Sequence, residues 1–239
     1  LPSKESSYFS DGILDEYIEY VYGEESNNLL EKSLYSDEGV MLEQRIYTYK
    51  NGLLKKEEVF NESGELQTYY TYEYDQSGNL LSESTFDNEG ELQLKSVYNY
   101  NEEGEKTKWS IFSGSDALFS YTEYAYKNGN FTKAETFTPA GDLDVYFENE
   151  YDSAGNMTKS TQYDADGDVL EFRTYEYENG SLVEEIIHRQ NGSVERTVQY
   201  KNDEAGNPVE IIYKNSSGEI QERLTREYIR REYIEYLEE

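Results

Sequence analysis

The side chains able to do chemistry in this chain are almost all carboxylates. Fifty-one Asp and Glu stand against 21 Lys and Arg, with one histidine, His188, and no cysteine. Without thiols there are no disulfide frameworks, thiolate zinc sites or cysteine nucleophiles. One imidazole leaves no room for a triad built on several histidines or for a His-rich metal site. A glycosidase pair needs only two carboxyls at a fixed separation, but most carboxylates here fall in turns or alternate outward, as solvated faces do. The run Asp164-Ala165-Asp166-Gly167-Asp168 has calcium-like spacing. It departs from the EF-hand loop, with glycine at the fourth position and no Glu at the twelfth. Asp164, Asp166 and Asp168, with Asp87, Glu89 and Asp142 from neighbouring turns, are weak candidates for divalent cations. Ordinary turn chemistry explains the same aspartates. No motif calls for a cofactor.

The aromatic residues offer a different chemistry. There are 26 Tyr, 9 Phe and one Trp, Trp109. A ladder of tyrosines makes a platform for sugars or peptides, or else cross-strand packing worth roughly 0.2–1 kcal/mol per pair. A binding site should break the repeat that carries the ladder. The clearest break runs from Lys106 to Tyr121 and holds Trp109, the irregular turn Ser113-Gly114-Ser115-Asp116, Phe119 and Tyr121. Trp109 lies beside Lys106 and Lys108 in an otherwise acidic chain. It is the first candidate for ligand contact, with Phe119, Tyr121, Tyr98 and Tyr124 around it. His188 occupies an aromatic slot of the repeat and reads as packing.

The elements that position these residues are set by glycine. One set of glycines is 52, 78, 104, 129, 155, 180 and 206; the other is 39, 64, 90, 141, 167, 192 and 218, its missing member falling near Asp116. Steps of 25–26 residues mark about eight copies of a two-strand unit. Asn51-Gly52, Asn128-Gly129, Asn179-Gly180 and Asn191-Gly192 predict two-residue turns with positive φ at both central residues. The Asp-x-x-Gly runs predict longer turns. Between turns the chain alternates: Leu66, Thr68, Tyr70, Tyr72 and Tyr74 share one face, as in a strand. Low hydrophobicity and high charge suit a disordered chain, but the aromatics and this alternation argue for a fold.

The expected fold is therefore an all-β antiparallel meander of about 16–18 strands. Open sheets rarely exceed about ten strands without curling, so barrel-like closure is favoured over a long single-layer sheet. Residues 1–239 read as one repeat domain, most regular from about 35 to 218. Residues 219–239 form a capping segment whose end is equally a helix or a last strand.

The segments Tyr72-Glu73-Tyr74-Asp75-Gln76-Ser77-Gly78-Asn79-Leu80 and Tyr151-Asp152-Ser153-Ala154-Gly155-Asn156-Met157 resemble the YD repeat of bacterial RHS-type surface proteins. That resemblance implies an exported or lipoprotein-like chain, secreted, periplasmic or anchored at the cell surface, with its signal segment outside these residues. It also implies curled shells of β-hairpins linked to envelopes, sugar binding or toxin packaging. The longer period and the lack of an appended toxin domain depart from it.

A net charge of −30 repels nucleic acid and anionic lipid, and no apolar run spans a membrane as a helix. The expected function is a non-enzymatic binding or scaffold module whose partner is a carbohydrate or an envelope protein. The alternatives are a carboxylate-dependent carbohydrate-active enzyme and a structural spacer.

Overall fold

A computed structural model describes residues 1–229. Among them are 18 strands: β1(Pro2–Phe9), β2(Leu14–Tyr22), β3(Leu29–Ser36), β4(Met41–Lys50), β5(Leu53–Asn61), β6(Leu66–Tyr74), β7(Leu80–Asp87), β8(Leu92–Tyr100), β9(Lys106–Ser113), β10(Leu118–Lys127), β11(Asn130–Phe137), β12(Leu143–Tyr151), β13(Met157–Asp164), β14(Val169–Glu178), β15(Ser181–Arg189), β16(Val194–Asn202), β17(Pro208–Asn215) and β18(Ile220–Tyr228). Each pairs antiparallel with its neighbours in sequence, and β1 pairs with β18. The sheet closes into a barrel with no free edge, which removes the row of unpaired backbone groups that an open edge presents. The described strands make nine two-strand units rather than about eight. The extra unit comes from residues 1–32, whose six-residue connection Gly23–Asn28 hides the repeat. The choice between helix and strand near Tyr233–Leu237 lies outside the described residues.

Turn chemistry sets the register. Asn51, Asn128 and Asn179 all have positive φ beside positive-φ glycines, as their Asn-Gly pairs predict. Asn191-Gly192 does not: Gly192 N–H donates to Arg189 O and Arg189 N–H to Ser193 O, a longer turn with only Gly192 left-handed. Asp116, at φ 60°, fills the gap in the second glycine set. Several turns are pinned by an Asx carboxylate or amide. Asp75 Oδ1, for example, accepts the backbone N–H groups of Ser77 and Asn79, both at 2.8 Å.

The registers give the barrel its dimensions. Following partners from Glu5 to Ile18 to Leu34 advances the chain two residues beyond Lys32, the repeat equivalent of Glu5. Every unit repeats this step, and Leu224↔Ser7 makes the last one. Nine steps of two residues give a stagger of 18 for 18 strands. At roughly 3.3 Å per residue and 4.8 Å between strands, that sets a tilt of about 35° and a backbone diameter of about 33 Å. Side-chain layers of about 5 Å on each wall leave a lumen about 20 Å across. The accessible surface, 15194 Å², is well above the roughly 11,000 Å² expected of a compact monomer of this mass. Among the described residues no side chain is completely removed from water. The described residues form a single wall in which only a few apolar side chains, such as Val59, Ile187 and Val198, are buried.

Bulges decide which residues face the lumen. Glu73 pairs with Ser82 and Tyr74 with Leu80, so Leu81 is an extra residue in β7. The same slip recurs in the other hairpins and inverts the alternation of the return strand. Sequence parity places Lys56/Glu58, Ser82/Ser84, Lys133/Glu135 and Lys159/Thr161 on the tyrosine face. The bulge moves them to the opposite face and brings Glu57, Glu83 and Ala134 opposite Tyr47, Tyr72 and Tyr124, and Ser160 opposite Asn149. The tyrosine face is half-buried along nearly every strand, whereas the other face is exposed at strand ends. Crowding of that kind marks the concave side.

Candidate functional site

The lower half of the lumen is lined by two rings of repeat-equivalent residues on the even-numbered strands. The first is Tyr20, Tyr47, Tyr72, Tyr98, Tyr124, Asn149, Tyr175, Tyr200 and Arg226. The second is Tyr22, Tyr49, Tyr74, Tyr100, Tyr126, Tyr151, Tyr177, Asn202 and Tyr228. Period two on a 25–26-residue repeat makes these rings: each even strand ends in Tyr-x-Tyr just before its turn. In the second ring, Tyr100 donates to Leu80 O, Tyr126 to Lys106 O, Tyr151 to Phe131 O and Tyr228 to Pro208 O. A phenol tied to the backbone of the adjacent strand lies along the wall and turns a ring face toward the lumen.

Opposite the first ring stand the odd-strand residues Glu5, Lys32, Glu57, Glu83, Trp109, Ala134, Ser160, Glu185 and Ile211. Three of these glutamates are braced in similar ways. Glu57 accepts from Arg45 Nη1 at 2.8 Å and from the Tyr72 hydroxyl at 3.2 Å. Glu185 accepts from Arg173 Nη1 at 3.1 Å and from the Tyr200 hydroxyl at 3.4 Å. Glu5 pairs with Arg226. Burial alone would lower the Arg45 guanidinium; its hydrogen bonds to Glu43 and Glu57 outweigh this and raise it. Burial, then Glu57 and Glu83, push the Tyr72 phenol well above its ordinary range. Glu83 is raised by burial and by Glu57, and no arginine contributes to its shift.

The arc from β8 to β11 is different. Trp109 replaces the residue that is charged in five of the eight other units, and it stacks on Tyr98 with ring centroids 6.3 Å apart. Lys106 occupies a position held by Pro2, Leu29, Leu54, Leu80, Phe131, Met157, Leu182 and Pro208 elsewhere. Its ammonium lies 4.6 Å from the Tyr124 ring and 5.6 Å from the Tyr98 ring. Burial lowers its pKa, with no charged neighbour contributing. Burial, then Tyr126 and Tyr98, push Tyr124 up to about 12. The indole N–H of Trp109 is buried without a hydrogen-bond partner. Tyr98, Lys106, Trp109 and Tyr124 thus form one aromatic patch with a single cation.

The structure divides the residues singled out from sequence. Tyr98, Trp109 and Tyr124 meet on the inner wall. Tyr121 is on the outer wall, stacked on Phe137 at 4.9 Å with the Lys108 ammonium 3.7 Å from its ring. Phe119 also faces outward and is 69% exposed. Lys106 and Lys108, alike in sequence, stand on opposite faces because the bulge lies between them. From the sequence Lys106 reads as a neighbour of Trp109 and, with Lys108, as one of the polar mid-strand pairs of the return strands; its real signal was a charge in a slot that is otherwise apolar in every unit. His188 stacks on Phe172 at 4.4 Å, in keeping with its aromatic slot. Asp164 Oδ1 accepts the backbone N–H groups of Asp166 and Asp168. Among the described residues no three His, Asp or Glu side chains converge on a metal position.

Residues 8–148 match the model of a protein family described as "Uncharacterised protein". The chain belongs to that family. No curated protein matches it. Among solved structures it is similar to a porin-like protein from Bacteroides uniformis, at 12% identity and TM-score 0.49, over 95% of this chain and 97% of that one. A porin-like protein from Bacteroides vulgatus aligns at 13% identity and TM-score 0.33, over 95% and 98%. TcdB2-TccC3 without its hypervariable C-terminal region aligns at 14% identity and TM-score 0.38, over 93% of this chain and 16% of that one.

A transmembrane barrel turns an apolar band toward lipid. Here both faces carry charge at mid-strand: Lys56, Glu58, Lys133 and Glu135 outside, Glu57, Arg45, Arg173 and Glu185 inside. The described wall is built for water on both sides.

Proposed function

We propose that the chain is a non-enzymatic, water-bathed binding barrel of a bacterial envelope, exported or held at the cell surface, that takes a carbohydrate against the inner wall at Tyr98, Trp109 and Tyr124. The observation that carries this reading is the break in the repeat: one patch of the tyrosine rings has a tryptophan at a position that is charged in five of the eight other units. Sugars stack their C–H faces on aromatic rings, and phenol O–H groups supply directional hydrogen bonds. The YD-like turns support export. Binding of an oligosaccharide panel, followed by calorimetry, tests the reading. The expected result is saturable binding with quenching of Trp109 fluorescence, weakened at least tenfold in Trp109→Ala. Binding that survives Trp109→Ala unchanged would sink it.

One observation favours a second reading, a carboxylate-dependent carbohydrate-active enzyme. Glu57 and Glu83 flank Tyr72 on the inner wall, two strands and so about 10 Å apart at their backbones, and Glu83 is the protonation-prone member. An acid of raised pKa facing a second carboxyl group is the kind of pair that glycoside hydrolysis uses. Release of reducing ends from a polysaccharide, abolished in Glu83→Gln, would favour it over the binding barrel.

A further inference from the structure

Resting on the lumen-binding reading above, we infer that the ligand of this patch carries an anionic group, as an acidic saccharide does, and that Lys106 receives it. Three observations point the same way. First, the other eight units all place an apolar residue or proline where Lys106 stands, so the lysine is a departure from what the wall requires. Second, the inner-wall arginines Arg45, Arg173 and Arg226 are each matched to a glutamate, whereas the Lys106 ammonium is met by the faces of Tyr98 and Tyr124. Third, burial disfavours its charge and no carboxylate offsets the cost. A half-buried ammonium against two ring faces keeps donor capacity, because a π face accepts charge without using the directional N–H bonds that an oxyanion takes. A ligand carboxylate or sulfate beside the Trp109 face would supply the missing counter-charge through short, charge-assisted hydrogen bonds. In a chain of net charge −30, long-range repulsion acts against anions, so the preference must come from this local contact and weaken in salt.

The test compares an oligogalacturonide with its methyl ester, which keeps the sugar rings and removes the charge, by calorimetry on the full chain. A sulfated neutral oligosaccharide of the same length forms the third arm. The acid is expected to bind at least tenfold tighter than the ester. Lys106→Leu, which restores the residue found in four other units and so keeps the wall intact, should abolish that preference. Tighter binding of the sulfated sugar, also lost in Lys106→Leu, supports the anion site and assigns it to sulfate. Equal binding of acid and ester to the wild type, or a preference that survives Lys106→Leu, overturns the inference while leaving the binding barrel standing. No binding of any sugar overturns both.

Discussion

Two arcs of the inner wall share one backbone and carry opposite chemistry. From β4 to β7 the wall holds Arg45, Glu57, Tyr72 and Glu83, a charged network across the lumen face. From β8 to β11 the positions equivalent to Tyr47, Glu57, Tyr72 and Glu83 hold Tyr98, Trp109, Tyr124 and Ala134, and Ser96 stands in the place of Arg45, with Lys106 the charge that Trp109 and the tyrosines surround. Strand pairing is the same in both, with one bulge in every hairpin and a two-residue advance per unit. The wall is therefore held by ladder, turn and bulge, and its inner side chains are free to vary. That separation of scaffold from lining lets one unit of nine become a site without disturbing the other eight.

If the scaffold is in the backbone, the largest effects must come from backbone positions, even inside the aromatic arc. A methyl added at Gly114 would lie 1.9 Å from the Leu92 carbonyl oxygen, so β8 and β9 would have to part. Gly114→Ala is expected to cost about 3 kcal/mol or more, among the more severe single substitutions. Gly104→Ala, with open space around it and only its φ of +81° to satisfy, should cost about 1 kcal/mol. Urea unfolding of the two variants checks the ranking, and equal losses would break the comparison.

Glycine spacing and alternation made the sheet, its strand number and its closure legible in the sequence, because turns of fixed chemistry at a fixed period leave little choice. Asn191-Gly192 misled because the turn closes on the backbone of residue 189 as a longer one, with only Gly192 left-handed. The composition of the lining was half legible. The Tyr-x-Tyr rows lie beyond the bulge near the start of each even strand, at Gln93 in β8 and Phe119 in β10, so parity held for Tyr98 and Tyr124. Return strands begin with an inserted residue that no local signal marks, so Lys106 and Lys108 looked alike and Tyr121 and Phe119 looked like neighbours of Trp109. Trp109 was visible as a singleton. The meaning of Lys106 appeared only when its repeat equivalents were aligned by pairing.

The two arcs raise their tyrosines by different routes, and alkali should separate them. Tyr47 is pushed up to about 12 by burial and then by Glu57, whereas Tyr124 reaches about 12 by burial and then by neighbouring phenols. A folded-state pKa above the unfolded value of about 10 means that the neutral phenol is favoured by folding. Its stabilisation is full below pH 10 and is lost as pH rises toward 12. Stability should be level up to about pH 10 and fall steeply through this window, with tyrosinate absorbance rising alongside unfolding. Glu57→Gln should lower the pKa of Tyr47 and Tyr72, so that they ionise at lower pH, and leave Tyr124 in place. A shift of Tyr124 in that variant would mean that the arcs are coupled.

Removing the cation of the charged arc should cost less than breaking the backbone. Arg45 is matched to Glu57, whose side chain is only 12% exposed. Leaving a buried carboxylate without its partner costs about 3–5 kcal/mol when burial is complete. The Arg45 side chain is 31% exposed, so solvent should reduce the loss in Arg45→Leu to about 1–2 kcal/mol. The double variant Arg45→Leu/Glu57→Leu should recover most of it. Stability of the double variant below that of Arg45→Leu would mean that the network itself holds the wall.

The smallest effect tests whether freedom of lining extends to the outer wall. There, five units place a lysine over an aromatic ring two strand positions on: Lys4/Tyr17, Lys56/Tyr69, Lys108/Tyr121, Lys133/Tyr146 and Lys159/Phe172. The other four units place Glu31, Ser82, Glu184 and Glu210 at the lysine position and Gln44, Lys95, Thr197 and Arg223 at the ring position. Two of these pairings are polar contacts: Gln44 donates to Glu31 at 2.9 Å, and Arg223 meets Glu210 at 3.1 Å. Lysine and aromatic therefore change together across the array, which is what two alternative cross-strand pairs would produce. Exposed cation–π pairs contribute about 0.5–1 kcal/mol. A double-mutant cycle on Lys56 and Tyr69 should give a coupling of that size. Replacing the pair together by Glu and Arg should restore stability to within about 0.5 kcal/mol of wild type, since the pair then matches Glu210 and Arg223. No coupling in the cycle would mean that the joint change is accidental, and that the outer wall, unlike the inner one, tolerates each position independently.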